Sequence, residues 1–205
     1  MKYIKKIQML LVACVLPAIG CAQAQLSPEV ARSMVQVRRD LSNTKAQLER
    51  TSATLRDIEK NPRLNTEQQI GFFREEMVKL EQAIQQVRDV RMDMETKSEE
   101  YFEAWGAEMG KMEDQQLAAA AKARRDASMQ AVKAVQAKLE EVSTTGSPLM
   151  SGLRDLDRYF EHDETAEGAQ AAVPTIQRTL GLKDPVIWKI DEAIAQIDQV
   201  TQSVE

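Results

Sequence analysis

Residues 27–60 read SPEVARSMVQVRRDLSNTKAQLERTSATLRDIEK, and the spacing of their apolar side chains decides the fold. Val30, Met34, Val37, Leu41, Thr44, Leu48, Thr51, Leu55 and Ile58 follow one another in alternating steps of four and three. A helix with 3.6 residues per turn keeps such positions on one side only by supercoiling left-handed around a neighbour. The mean repeat of 3.5 therefore predicts coiled-coil packing. Thr44 and Thr51 weaken this seam modestly. Ser27-Pro28-Glu29 marks the helix start with a capping hydroxyl, a proline at the first helical position and an acid in the first turn. Asn61-Pro62 marks its end, because the residue before proline avoids the α region. At about 1.5 Å per residue such a helix is over 40 Å long.

The pattern continues outward from that helix. Thr66 is expected to cap a second helix with a seam at Ile70, Phe73, Met77, Leu80, Ile84 and Val87. The short intervening loop predicts an antiparallel hairpin. The phase shifts over Val90–Met94, after which Tyr101, Phe102 and Trp105 carry the apolar face. Gly106 and Gly110 mark a bend or an end. From Glu113 to Val142 the helix continues or restarts, with alanines over 117–121 and a stripe at Val132, Val135, Leu139 and Val142. Ser143-Thr144-Thr145-Gly146-Ser147 reads as a loop. Ser147 then caps a new helix with Pro148 at its first position and a face of Leu149, Leu153, Leu156 and Phe160. Glu161–Thr165 is a polar surface turn, Val173-Pro174 kinks or restarts the next segment, and Gly181 closes it. Asp184-Pro185 opens a last helix with Ile187, Ile190, Ile194, Ile197, Thr201 and Val204 inward. No strand pattern occurs. The predicted fold is all-α: an elongated antiparallel coiled-coil bundle of four to six helices.

Composition agrees. Charged residues make up 29% and aromatics 4% of the 205 residues, with only eight glycines, which suits long helices better than sheets. The net charge of −5 argues against nucleic acid, which selects a basic face. Met1 to Gly20 reads as a secretory signal: Lys2, Lys5 and Lys6, an apolar run Ile7–Leu16 broken only by Gln8, then small residues. The run is about half the roughly 20 residues that span a bilayer. Two processing positions compete within residues 1–24. Ala18-Ile19-Gly20-Cys21 suits lipoprotein cleavage before Cys21, with lipidation of that cysteine. Ala22-Gln23-Ala24 suits ordinary cleavage after Ala24. Either route predicts an exported chain, periplasmic or anchored to the outer membrane, with 25–205 as one helical domain and no later membrane span. Too few cysteines then remain for an internal disulfide.

Phe102-Glu103-Ala104-Trp105, Glu108 and Ala123-Arg124-Arg125-Asp126-Ala127-Ser128 carry a resemblance, as do Pro148–Asp155 and Tyr159-Phe160-Glu161-His162-Asp163. Together these segments resemble the bacterial domain-of-unknown-function family 2959, over roughly Leu41 to the end. The resemblance implies an exported helical protein, often with a lipobox, and no assigned activity. Glu161 and Asp163 depart from the lysine and asparagine usual in that family and make the corner more acidic.

Chemistry-bearing patterns are few. His162, the only histidine, stands among Asp157, Glu161, Asp163 and Glu164. A metal ligand or pH sensor is one reading of it. One histidine without cysteine makes a poor zinc set, and no calcium-loop spacing is present. A capping or ion-paired histidine, with Arg154 or Arg158 nearby, is the plainer expectation. No nucleophile elbow or phosphate loop occurs, so neither catalytic residues nor a cofactor are expected. Tyr101, Phe102 and Trp105, with Trp188, are expected to pack as core rather than bind a partner. Met92, Met94, Met109 and Met112 are expected as core filler. The leading functional expectation is a non-enzymatic envelope protein, structural or scaffolding, that binds a protein partner or itself through its helices. The alternative is a ligand- or metal-binding protein using the acidic corner around His162.

Overall fold

The computed structural model describes residues 26–202, which form α1 (Pro28–Lys60), α2 (Thr66–Met109), α3 (Gln115–Phe160), α4 (Ala166–Leu180) and α5 (Lys183–Gln202). No strand is present among the described residues. The predicted signal segment, Cys21 with both processing positions, and Val204 lie outside them.

All nine seam residues of α1 are buried. Ser27 caps the helix as expected, its Oγ accepting from the Val30 amide at 3.2 Å. At the next helix the cap falls one residue early. Asn65 holds the N-cap position in the left-handed region (φ 48°), a conformation asparagine tolerates. Thr66 is already helical, and its hydroxyl donates back to the Pro62 carbonyl at 2.8 Å. In α2, Ile70, Phe73, Met77 and Leu80 are buried, while Ile84 and Val87 are half-buried. The helix continues through Gly106 and ends at Gly110. Asp114 starts α3, accepting from the amides of Gln116 and Leu117 at 2.8 and 3.0 Å.

Cross-helix contacts set the topology. Ser33 on α1 reaches Asp93 on α2 at 3.0 Å, and Thr51 reaches the Glu76 carbonyl at 3.1 Å, so the two helices run antiparallel. α3 returns along α2, with Arg91 against Glu140 and Arg74 against Asp157. α4 and α5 then descend one after the other beside α3 and α1. Thr179 abuts Gly152, Glu192 meets Lys138 at 3.2 Å, and Asp191 meets Lys45 at 2.6 Å. The result is an up-down-up-down arrangement of four staves, the fourth interrupted at Gly181–Leu182. The 46 residues of α3 extend it to about 70 Å. No helix among the described residues is long and apolar enough to cross a membrane.

The expected loop at Ser143–Ser147 is absent, because α3 passes straight through it. The reason lies in register. Val132, Val135, Leu139, Val142, Gly146, Leu149, Leu153, Leu156 and Phe160 alternate steps of three and four without a break. Gly146 takes a seam position facing Val186, where a Cβ would stand 3.8 Å from the valine Cγ1. Pro148 deprives the Thr144 carbonyl of its helical donor, but both residues are exposed, so water can serve that carbonyl. An interior proline costs about 3 kcal/mol. Burying four large side chains beyond it, at about 1.5–3 kcal/mol each, outweighs that cost.

The last helix also differs from expectation. Its buried line is Val186, Ile190, Ala193, Ile197 and Val200, while Ile187 and Ile194 are half-buried on the flank. α5 is gripped by both α1 and α3, so its apolar face is wider than one seam. Pro174 lies inside a continuous α4 rather than restarting it.

Continuity through Pro148 is testable. Pro148→Ala is expected to stabilise the protein by roughly 1–3 kcal/mol in urea denaturation, and Ser147→Ala to be nearly neutral. A helix newly capped at Ser147 would instead lose about 1 kcal/mol from the serine change.

Candidate functional site

The acidic corner forms where α3 ends and α4 begins, and α2 supplies its organiser. Arg74 lies 3.4 Å from Asp157, 3.8 Å from Glu161 and 3.5 Å from Glu164. Asp163 is used differently: it accepts from the Thr165 amide at 3.2 Å and from the Thr165 hydroxyl at 2.6 Å. These two bonds, with a third from the Tyr159 hydroxyl, hold its carboxyl below the usual range. Thr165 in turn caps α4 through the Gly168 amide. His162 is exposed, and its side chain makes no hydrogen bond or ion pair among the described residues. Arg154 pairs with Glu81 and Arg158 with Asp155, so neither meets the histidine. No group of three or more His, Cys, Asp or Glu arranged to hold a metal occurs among the described residues.

The aromatic residues divide. Phe102 is buried, with Tyr101 and Trp105 half-buried beside it; ring centroids lie 5.2 Å from Tyr101 to Phe102 and 5.5 Å from Tyr101 to Trp105. Arg125 on α3 donates to the Phe102 carbonyl at 3.0 Å and lies along Gly106. Trp188 is 62% exposed with the Lys189 ammonium 5.0 Å from its ring centre, so it is not core. Met94 is buried but Met92 is 66% exposed. Two positions apart, the two methionines face opposite sides of the helix.

A cavity of about 220 Å³ lies where all four staves meet at mid-length. Leu41 and Leu48 of α1, Leu80 of α2, Leu139 of α3 and Ile190 of α5 form its apolar wall. Its origin is a layer of small seam residues: Thr44 on α1 and Gly146 on α3 stand where leucines would fill the space. Thr44 is only 8% exposed, and its Oγ has no hydrogen-bond partner. Arg88 and Arg91 of α2 and Arg154 of α3 also line the cavity, with no acidic residue among the lining. Arg91 pairs with Glu95 and Glu140 and Arg154 with Glu81, whereas Arg88 has no ion pair among the described residues. Sequence reasoning missed this site because reading Gly146 as loop removed it from the seam. Thr44 and Gly146 at seam positions were the available signal.

Beside the cavity, Lys138 and Lys189 clamp α3 to α5. Lys189 lies 2.7 Å from Glu141 and 3.0 Å from Glu192, and Lys138 lies 3.1 and 3.2 Å from the same pair. Hydrogen bonds from Lys189 first, then Lys138, hold both carboxyls below their ordinary range.

The chain matches no protein-family model, no curated protein and no solved structure.

Two tests follow from these contacts. Carboxyls depressed in the folded state contribute stability that is present above their unfolded pKa and fades as pH falls through the folded one. Stability is therefore expected to decline on acidification below the ordinary carboxylate range. Lys189→Met should raise the Glu141 and Glu192 transitions in a carboxyl NMR titration and shrink that decline. At the corner, a Cβ on Gly168 would collide with the Asp163 carboxylate. Gly168→Ala is expected to cost about 1–2 kcal/mol by displacing the cap. Adding Asp163→Ala should cost less than the sum of the two single changes, since it removes the collision.

Proposed function

We propose that the chain is a non-enzymatic cell-envelope protein that works as a scaffold, presenting the far end of its α2–α3 hairpin to a protein partner or a second copy. One observation carries this reading. No residue from Glu103 to Ala127 is buried, although this stretch holds apolar side chains such as Leu117, 64% exposed, and Met112. α1 meets α2 at Ser33 and Asp93, and α2 continues for another four turns past that contact. Tyr101 and Trp105, half-buried against the core, mark the base of this extension. A rod of this length is suited to spacing and presenting surfaces.

The signal-like Met1–Gly20 supports an exported location. Processing at Cys21 would anchor the rod by lipid, and processing after Ala24 would leave it in the periplasm. The resemblance to family 2959 belongs to the same proposal: its segments Phe102–Trp105 and Ala123–Ser128 pack together through Arg125. The His162 corner supports the ligand-binding alternative less well, because Arg74 and Thr165 occupy its carboxylates.

A photo-cross-linking residue at Leu117 is expected to capture one defined envelope protein or a second copy in intact cells. The same probe at Arg63, at the opposite end, should capture neither. Recovery of uncomplexed monomer from both positions would remove the scaffold reading.

A further inference from the structure

Going beyond the scaffold reading, we propose that the mid-length cavity binds a medium-chain hydroxy fatty carboxylate. Three features define the occupant. The leucine and isoleucine wall selects hydrocarbon, and about 220 Å³ holds roughly seven water- or methylene-sized groups. Arg88, the one of the three arginines with no ion pair among the described residues, selects a negative head on a chain whose net charge is −5. Arg91 and Arg154 beside it are held by Glu95, Glu140 and Glu81. Arg88 and Arg154 are exposed and Arg91 is partly so, which places the charge on the solvent side, between α2 and α3. Arg88 keeps its whole guanidinium available, since no ion pair engages it among the described residues.

Thr44 supplies the third feature. A buried hydroxyl without a partner is costly, and of the two such hydroxyls among the described residues, Thr44 and Ser52, Thr44 is the one that lines the cavity. Thr51, seven residues on, shows the ordinary solution, donating within reach of the Gln47 and Glu76 carbonyls at 3.0 and 3.1 Å. Thr44 reaches no such carbonyl and lines the cavity instead. A hydroxyl on the chain of the ligand satisfies it. A plain alkyl chain leaves it unpaired, and the hydroxylated acid is thereby preferred.

Calorimetric titration of the full chain with 3-hydroxyoctanoate, octanoate and octanol tests the assignment. Saturable one-to-one binding is expected for the two acids, with the hydroxylated one tighter and octanol roughly tenfold weaker than octanoate. Arg88→Gln should weaken both acids by about tenfold. Thr44→Val should erase the difference between them. Gly146→Leu fills the cavity and should abolish binding while melting no lower than the parent, which separates loss of the site from loss of the fold. Equal binding of octanol and octanoate would overturn the anionic part. An unchanged preference in Thr44→Val, as when water serves that hydroxyl, would overturn the role of Thr44. No saturable binding of any probe, with the parent folded, would overturn the site. None of these outcomes bears on cross-linking from Leu117, so the two proposals fail separately.

Discussion

The bundled part of the molecule depends on one constraint: apolar side chains returning at alternating three- and four-residue steps must be shielded from water by the helices that run beside them. α1 satisfies it most completely, since every position of its stripe is buried. It can do so because it has two neighbours, α2 on one side and the α4–α5 stave on the other. Burial of this kind is worth about 25 cal/mol per Å² of apolar surface. Summed over a helix it exceeds any single local preference. That is why the seam holds its register through Pro148 and Gly146, and why α4 accepts Pro174.

The same constraint makes departures from it informative. Where the seam holds threonine, the bundle must either find a partner for the hydroxyl or leave a space. At Thr51 it finds two backbone carbonyls. At Thr44, opposite Gly146, it leaves a cavity. Both outcomes follow from close packing, because a bundle of rigid staves relaxes only partly around a missing side chain. Small residues at one level thus create a chamber in a fold otherwise too thin for one.

Charge plays a subordinate part and acts mainly on register. Lys138 and Lys189 with Glu141 and Glu192 align α3 with α5, while Lys45–Asp191 and Arg38–Asp198 align α1 with α5. Exposed pairs contribute little individually. At the α3–α4 corner a single guanidinium, Arg74, draws three carboxylates together. The acidity visible in the sequence there is answered by a residue more than eighty positions earlier.

The fold class, the bounds of α1, its full seam and the hairpin after it were legible in the sequence, because period and capping are local properties of the chain. Tertiary structure alone decided the rest. Ser143–Ser147 carries the local marks of a loop, and only burial of the residues on either side in one register makes it helix. The last helix reads as an isoleucine seam, yet two neighbours instead of one widen its face and bring Val186 and Ala193 inward. Arg74 at the corner, the arginines around the cavity and the fate of the Thr44 hydroxyl depend on which helices become neighbours. Periodicity says that a helix needs a neighbour; only packing says which one, and at what height along it.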